Sequence, residues 1–215
     1  MGLPLEQCRL YTFIDAAYLG SRQPAEIAGQ LCDGGSDLIQ LRAKNASAAE
    51  VCRLAGQIKP VLDNAGVSLV INDHWDIACK IGADYCHLGQ EDFFGAGLTD
   101  AAELRPLEIA SPLPLVGLST HAPAQAEQAI AAHPAYIAIG PIYATPTKPT
   151  AVPFTLDYVR WAAANVTIPW FAIGGINLTN LDAVLEAGAT RICVVSAILN
   201  APNLAEACRK FKQRL

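Results

Sequence analysis

Five groups of side chains along this sequence have types and spacings that could do chemistry. In QLRAK, Gln40, Arg42 and Lys44 stand two residues apart, so an extended backbone sends an amide and two cations to one side and Leu41 and Ala43 to the other. Asn72-Asp73 and Asp92 offer an amide oxygen and two carboxylates. That hard-oxygen set suits Mg²⁺, which keeps several waters and bridges to phosphate oxygens, better than Zn²⁺. Gly174-Gly175 and Val195-Ser196 are two shorter groups, in which glycine lets backbone N–H groups approach anionic oxygens. The fifth is YATPTKPTAVP, residues 143–153. Its threonine hydroxyls and freed N–H groups, stiffened by proline, can hold an anion at low ordering cost, while Lys148 adds a mobile point charge.

Each group alone has a plainer explanation. Arg42 and Lys44 could pair with nearby carboxylates at a solvated strand end, and either aspartate could cap the helix that follows it. The double glycine could be turn geometry, and the proline-rich stretch a surface loop with an incidental lysine. Position decides between these readings, and position depends on the elements that carry the groups.

Short β-branched apolar runs alternate with longer Ala/Leu-rich segments of helical period. The pattern predicts strands at 9–14, 37–42, 67–72, 84–88, 114–119, 135–140, 169–174 and 190–196. It predicts helices at 24–33, 47–65, 75–81, 99–108, 122–132, 155–164, 178–187 and 203–213. The punctuation Gly35-Ser36-Asp37, Gly82-Ala83-Asp84 and Gly188-Ala189-Thr190 recurs before strands, a weak repeat at the level of one βα unit. Eight β-then-α units imply parallel strands and favour a closed (β/α)8 TIM barrel, expected to be a single domain over 1–215. A Rossmann-type sheet is the rival, but no G-x-G-x-x-G follows the first strand. In a barrel the chemistry sits where strands exit, and all five groups fall at predicted exits.

Composition narrows the function. A chain of 215 residues that is 52% apolar can bury a sizeable core, and a formal net charge of -5 argues against a general nucleic-acid binder. The seven cysteines form no C-x-x-C pair and mostly sit in apolar runs, so they read as reduced core residues of a cytoplasmic protein. The histidines show no zinc-ligand spacing, and no apolar run is long enough to span a membrane. The expected partners are small molecules, with no nucleic acid and no membrane, and a homo-oligomer left open.

Taken in order, QLRAK, INDHWDIA, GADYCHLGQEDF, VGLSTH, IAIGPIYATPTK, FAIGGI and CVVSAI strongly resemble the thiamine-phosphate synthase family. The resemblance implies a transferase that joins 4-amino-2-methyl-5-hydroxymethylpyrimidine diphosphate to a thiazole ethyl phosphate, or its carboxylated form. By matching position, Gln40, Leu41, Arg42, Ala43, Lys44, Asn72, Ser119 and Lys148 would hold the pyrimidine diphosphate, and Asp73 and Asp92 would bind Mg²⁺. Thr145, Pro146, Thr147, Gly175, Val195 and Ser196 would hold the thiazole phosphate, and His87 would lie near the pyrimidine. In this family diphosphate is thought to leave first, so Mg²⁺, Arg42, Lys44 and Lys148, with Ser119 in the catalytic set, would stabilise the departing charge. Ala43 stands where many relatives carry an acidic or polar residue. Two other readings on the same barrel are a thiazole tautomerase-like isomerase using His121 and a non-catalytic sensor of thiamine precursors.

Overall fold

The computed structural model describes residues 2–104, 112–144 and 155–215. Eight strands form a closed barrel in sequence order: β1 Leu10–Asp15, β2 Leu38–Arg42, β3 Ser68–Asn72, β4 Tyr85–Gly89, β5 Leu115–Thr120, β6 Tyr136–Ile139, β7 Trp170–Ala172 and β8 Ile192–Val194. Every strand pairs in parallel with the next, and β8 closes onto β1 through Leu10 opposite Ile192. Residues such as LYTFID and SLVIN are buried on both faces, because one side fills the barrel and the other is covered by helices.

The helices are α1 Pro24–Asp33, α2 Ala48–Ala65, α3 Trp75–Ile81, α4 Gln90–Gly95, α5 Pro123–Ala131, α6 Thr155–Asn165, α7 Leu181–Glu186, α8 Ser196–Leu199 and α9 Leu204–Lys212. Local signals set several of their ends. Ser47 accepts the Glu50 N–H to start α2, Asn203 accepts the Glu206 N–H to start α9, and Gly82 takes the left-handed conformation that ends α3.

The lower barrel interior is aromatic. The rings of Tyr11, Tyr136 and Phe171 meet edge to face at centroid separations of 5.3 to 6.0 Å. Gly117 makes room for this layer, since a Cβ there would lie 2.1 Å from Cζ of Tyr136.

At the strand entrances, the recurring aspartates pin neighbouring strands. One carboxylate oxygen of Asp37 accepts the N–H groups of Arg9 and Leu10 at 2.7 and 2.9 Å and also meets Lys212 Nζ at 2.5 Å. Asp84, at the matching position two βα units on, accepts the Leu69 N–H at 2.9 Å. The weak sequence repeat therefore marks a structural device at this end of the barrel.

The structure corrects some expected elements. The helix expected at 99–108 is absent from its described part, where only a 3-10 turn spans Ala101–Leu104. There Glu103 accepts the N–H groups of Thr99 and Asp100, a side-chain turn that replaces helical bonding. The helix of this unit instead follows β4 directly as α4. Strands 7 and 8 are shorter than expected: Gly174 turns to φ 106° and ends one exit, and Val195 (φ -111°, ψ -88°) leads straight into α8 after the other. Helix α7 begins only at Leu181, because Asn177 and Asn180 close a turn in which Asn180 Oδ1 accepts the Asn177 N–H.

Candidate active site

At the C-terminal end of the strands opens a cavity of about 400 Å³. Gln40, Arg42, Lys44, Asn72, Asp73, His87, Asp92, Ser119, Gly175, Val195 and Ser196 all line it. The period-2 alternation of β2 explains the first three. The same alternation turns Leu41 and Ala43 away, and they lie 1% and 6% exposed among core side chains, outside the lining. Where the sequence placed Leu41 and Ala43 beside a ligand, the structure puts both among the core residues and neither in the cavity lining. Thr145, Pro146, Thr147 and Lys148 lie outside the described residues.

Arg42 is not a loose surface cation. Its guanidinium meets Asp15 Oδ2 at 2.5 Å, and Asp15 is 2% exposed. Asp15 also accepts the Ala17 N–H, so one carboxylate ends β1, caps the following 3-10 turn and holds the arginine at the rim. The pairing raised as the plain explanation for Arg42 is thus present, and the arginine lines the cavity all the same. Lys44 is exposed and forms no ion pair with any described residue.

Asp73 directly follows β3, Asp92 lies in the first turn of α4 just after the adjacent strand β4, and both line the cavity. Asp73 sits at φ 65°, its N–H donating to the His87 carbonyl at 2.9 Å and its carboxylate accepting from Asn72 Nδ2 at 2.6 Å. Asp92 folds back over Gly89, where a Cβ would come within 2.8 Å of Oδ2. Both are exposed, and no lysine or arginine among the described residues pairs with either. Nor is there a cluster of three or more His, Cys, Asp or Glu side chains among those residues. Two carboxylates with no cationic partner can take a hard divalent cation whose other positions are filled by water and substrate oxygens.

Across the cavity the groups are mostly backbone. Gly174 (φ 106°) and Gly175 (φ 66°) form the turn after β7, and the chain leaving β6 lies against it. The N–H of Ile142 donates to Ile173 O at 2.9 Å and that of Tyr143 to Gly174 O at 3.0 Å. A Cβ on Gly174 would meet Pro141 at 2.5 Å, and one on Gly175 would meet Ala144 O at 2.7 Å. Glycine is required here by both conformation and contact. Asn180 Nδ2 holds the Gly175 carbonyl at 3.0 Å. Beside this turn, α8 opens at Ser196, where the first N–H groups have no partner within the helix.

Two histidines face the same space. His87 Nδ1 lies 3.1 Å from Tyr136 Oη, and His121 Nδ1 lies 2.6 Å from the Gly140 carbonyl, which can only accept, so His121 carries its proton on Nδ1. Cys193 also lines the cavity, but burial pushes its thiol well above the ordinary value and keeps it protonated.

A family model described as thiamine monophosphate synthase matches residues 10–198. The chain belongs to the thiamine monophosphate synthase family. A thiamine-phosphate synthase of Thermus thermophilus is 45% identical over 183 residues, covering 85% of this chain and 84% of that protein. One from Acidothermus cellulolyticus is 41% identical over 222 residues, covering 100% and 98%. The thiamine phosphate pyrophosphorylase structure from Pyrococcus furiosus superposes with a TM-score of 0.81 at 26% identity, covering 97% of this chain and 96% of that one. As a thiamine monophosphate synthase family member the chain is an enzyme, a transferase of thiamine biosynthesis on a TIM barrel. No helix among the described residues is long and apolar enough to cross a membrane.

The sequence pattern did not single out several lining residues: Tyr11 and Phe13 from within β1, Ala138 from β6 and Cys193 from β8. Tyr11 and Phe13 carried a usable signal, since they alternate with buried Thr12 and Ile14 along β1 and end on Asp15. Asp15 directly follows the strand expected at 9–14, but no local pattern showed that it pairs with Arg42.

Proposed function

We propose that this family member breaks the bond between the methylene carbon and the diphosphate oxygen of 4-amino-2-methyl-5-hydroxymethylpyrimidine diphosphate. The diphosphate leaves with the bonding electrons, and the ring nitrogen of a thiazole ethyl phosphate, or of its carboxylated form, donates its lone pair to that carbon. The products are thiamine phosphate and diphosphate. The observation that carries this reading is one cavity in which Arg42, Lys44, Asp73 and Asp92 stand opposite the Gly174-Gly175 turn and Ser196, within a chain of this family.

The geometry supports a reaction run by charge and placement. Arg42, braced by Asp15, and Lys44 put positive charge on the side where the diphosphate would ionise. Asp73 and Asp92 would hold Mg²⁺, a fit supported by their hard oxygens, their lack of cationic partners among the described residues and the space left by Gly89. Bound there, Mg²⁺ supplies electrostatic stabilisation of negative charge on phosphate oxygens. Gln40, Asn72, Ser119 and His87 would place the pyrimidine, and Gly175, Val195 and Ser196 the thiazole phosphate, in the position where barrels commonly bind phosphate. Lys148, with Thr145, Pro146 and Thr147, completes the proposed anion contacts on sequence grounds. The protonated Cys193 thiol is in keeping with a reaction that needs no enzyme nucleophile.

The test is release of diphosphate. With both substrates and Mg²⁺ the enzyme should release it in step with thiamine phosphate. An unchanged rate in EDTA would remove the metal assignment, and no release under any divalent cation would remove the reaction itself. His121, protonated on Nδ1 at the cavity wall, favours a second reading, proton shuttling on a thiazole carboxylate phosphate. That reading requires turnover without any pyrimidine diphosphate and its loss in His121→Ala.

A further inference from the structure

Four side chains from four strands form one hydrogen-bonded chain beneath the cavity. Gln40 Nε2 on β2 donates to Tyr11 Oη on β1 at 2.6 Å. Tyr11 Oη lies 3.0 Å from Tyr136 Oη on β6, and Tyr136 Oη lies 3.1 Å from His87 Nδ1 on β4. Both tyrosines are essentially inaccessible to solvent, at 1% and 0%; Gln40, His87 and Tyr11 line the cavity, and Tyr136 lies behind them. The His87 ring stacks on Tyr136 at 5.7 Å and 22°, and Gly117 leaves the space that Tyr136 fills.

For the amide orientation present, one proton assignment gives every hydroxyl hydrogen of this chain an acceptor within it. A tyrosine hydroxyl donates one hydrogen, and burial pushes both hydroxyls well above their ordinary pKa, so neither is ionised. Tyr11 accepts from Gln40, so its own hydrogen goes to Tyr136 Oη. Tyr136 then has its hydrogen left for His87 Nδ1. A neutral His87 therefore carries its proton on Nε2. Turning the Gln40 amide over would reverse every link and move that proton to Nδ1.

We infer that Tyr136 is a positioning residue that fixes the ring plane and tautomer of His87, so that His87 Nε2–H is a hydrogen-bond donor for an acceptor atom of the bound substrate. Gln40 and His87, on different strands, are thereby coupled in polarity through the two tyrosines. The tautomer claim stands on the hydrogen-bond chain alone, whereas its kinetic consequence rests on the proposed transferase reaction, so the two can fail separately.

The experiment is nitrogen NMR of protein labelled with ¹⁵N-histidine at about pH 8.5, where an ordinary imidazole is neutral, with His87 assigned by comparison with His87→Gln. The wild-type enzyme should show a protonated Nε2 and an Nδ1 shifted as a hydrogen-bond acceptor. A proton on Nδ1 overturns the proposal from that spectrum alone. Tyr136→Phe keeps the ring and should move the Nδ1 signal to that of an unbonded nitrogen, while Tyr11→Phe, one link earlier, should leave Tyr136 donating and the His87 signals nearly in place. Equal disturbance by both variants, or none by Tyr136→Phe, overturns the positioning role. In turnover, Tyr136→Phe should lower kcat/KM for pyrimidine diphosphate about tenfold, the scale of one neutral hydrogen bond, with the thiazole phosphate KM unchanged. An unchanged kcat/KM alongside the expected spectra would overturn only the link to catalysis.

Discussion

At the strand entrances Asp37 and Asp84 aim their carboxylates at the backbone of the neighbouring strand, whereas at the exits Asp73 and Asp92 stand exposed with no cationic partner among the described residues. The residue type is the same and the employment differs. Asp37 satisfies two backbone N–H groups and a lysine, so its charge is spent within the fold. Asp73 and Asp92 keep most of their acceptor capacity for something that arrives from solution. One end of the barrel saturates its charges and contributes stability, while the other leaves them open and contributes chemistry, a division expected of this architecture. Asp15 sits between these cases. It is buried and paired like an entrance residue, but the group it braces, Arg42, belongs to the exit rim.

The largest expected effect separates activity from stability. Asp73→Asn, at a left-handed position that asparagine adopts readily, should lower kcat by roughly 100-fold or more, the scale of lost transition-state charge stabilisation, with Tm nearly unchanged. A parallel fall in Tm would mean that the exit carboxylates also hold the fold. Asp37→Ala should do the reverse. Orphaning two N–H groups and Lys212 should cost about 3 kcal/mol, a Tm decrease of roughly 6–12 °C, with kcat per folded molecule retained. Loss of kcat without loss of Tm would erase the distinction between the two ends.

A smaller effect probes the exit alone. Gly89 has φ -65°, which alanine accepts, but the added methyl would press on Asp92 Oδ2. Gly89→Ala should raise the Mg²⁺ concentration needed for half-maximal rate by about tenfold, a cost near one hydrogen bond, and leave saturated kcat close to wild type. An unshifted Mg²⁺ titration would show that Asp92 does not work from its present position. The smallest effect concerns Cys193. Because burial keeps the thiol protonated, Cys193→Ala should hold kcat within about threefold. Loss of activity with normal substrate binding would reinstate a covalent step.

Much of the barrel was legible because its strands are buried on both faces and read as continuous β-branched runs. The rim was legible for a related reason: polar residues that end such runs stand out. The 99–108 segment misled because Ala101-Ala102-Glu103-Leu104 has helical composition, whereas Thr99, Asp100 and Glu103 close a local side-chain turn that composition does not show. Helix α4 was hidden by its six-residue length between Gly89 and Ala96. In the site, single-strand patterns revealed Gln40, Arg42 and Lys44 together. Pairings across strands, such as Arg42 with Asp15 or His87 with Tyr136, depend on register and closure that no local pattern carries.

The interlock between the double-glycine turn and the segment leaving β6 bears on how such barrels can be recombined. Residues 141–144 and 173–175 fill each other's space and share two backbone hydrogen bonds, so neither side tolerates bulk introduced by the other. A chimera cut between β6 and β7 would draw the two segments from different parents and put this fit at risk. The natural exchangeable unit on this side is the β6–β7 pair, and hybrids that keep both strands and their exits from one parent should stay intact.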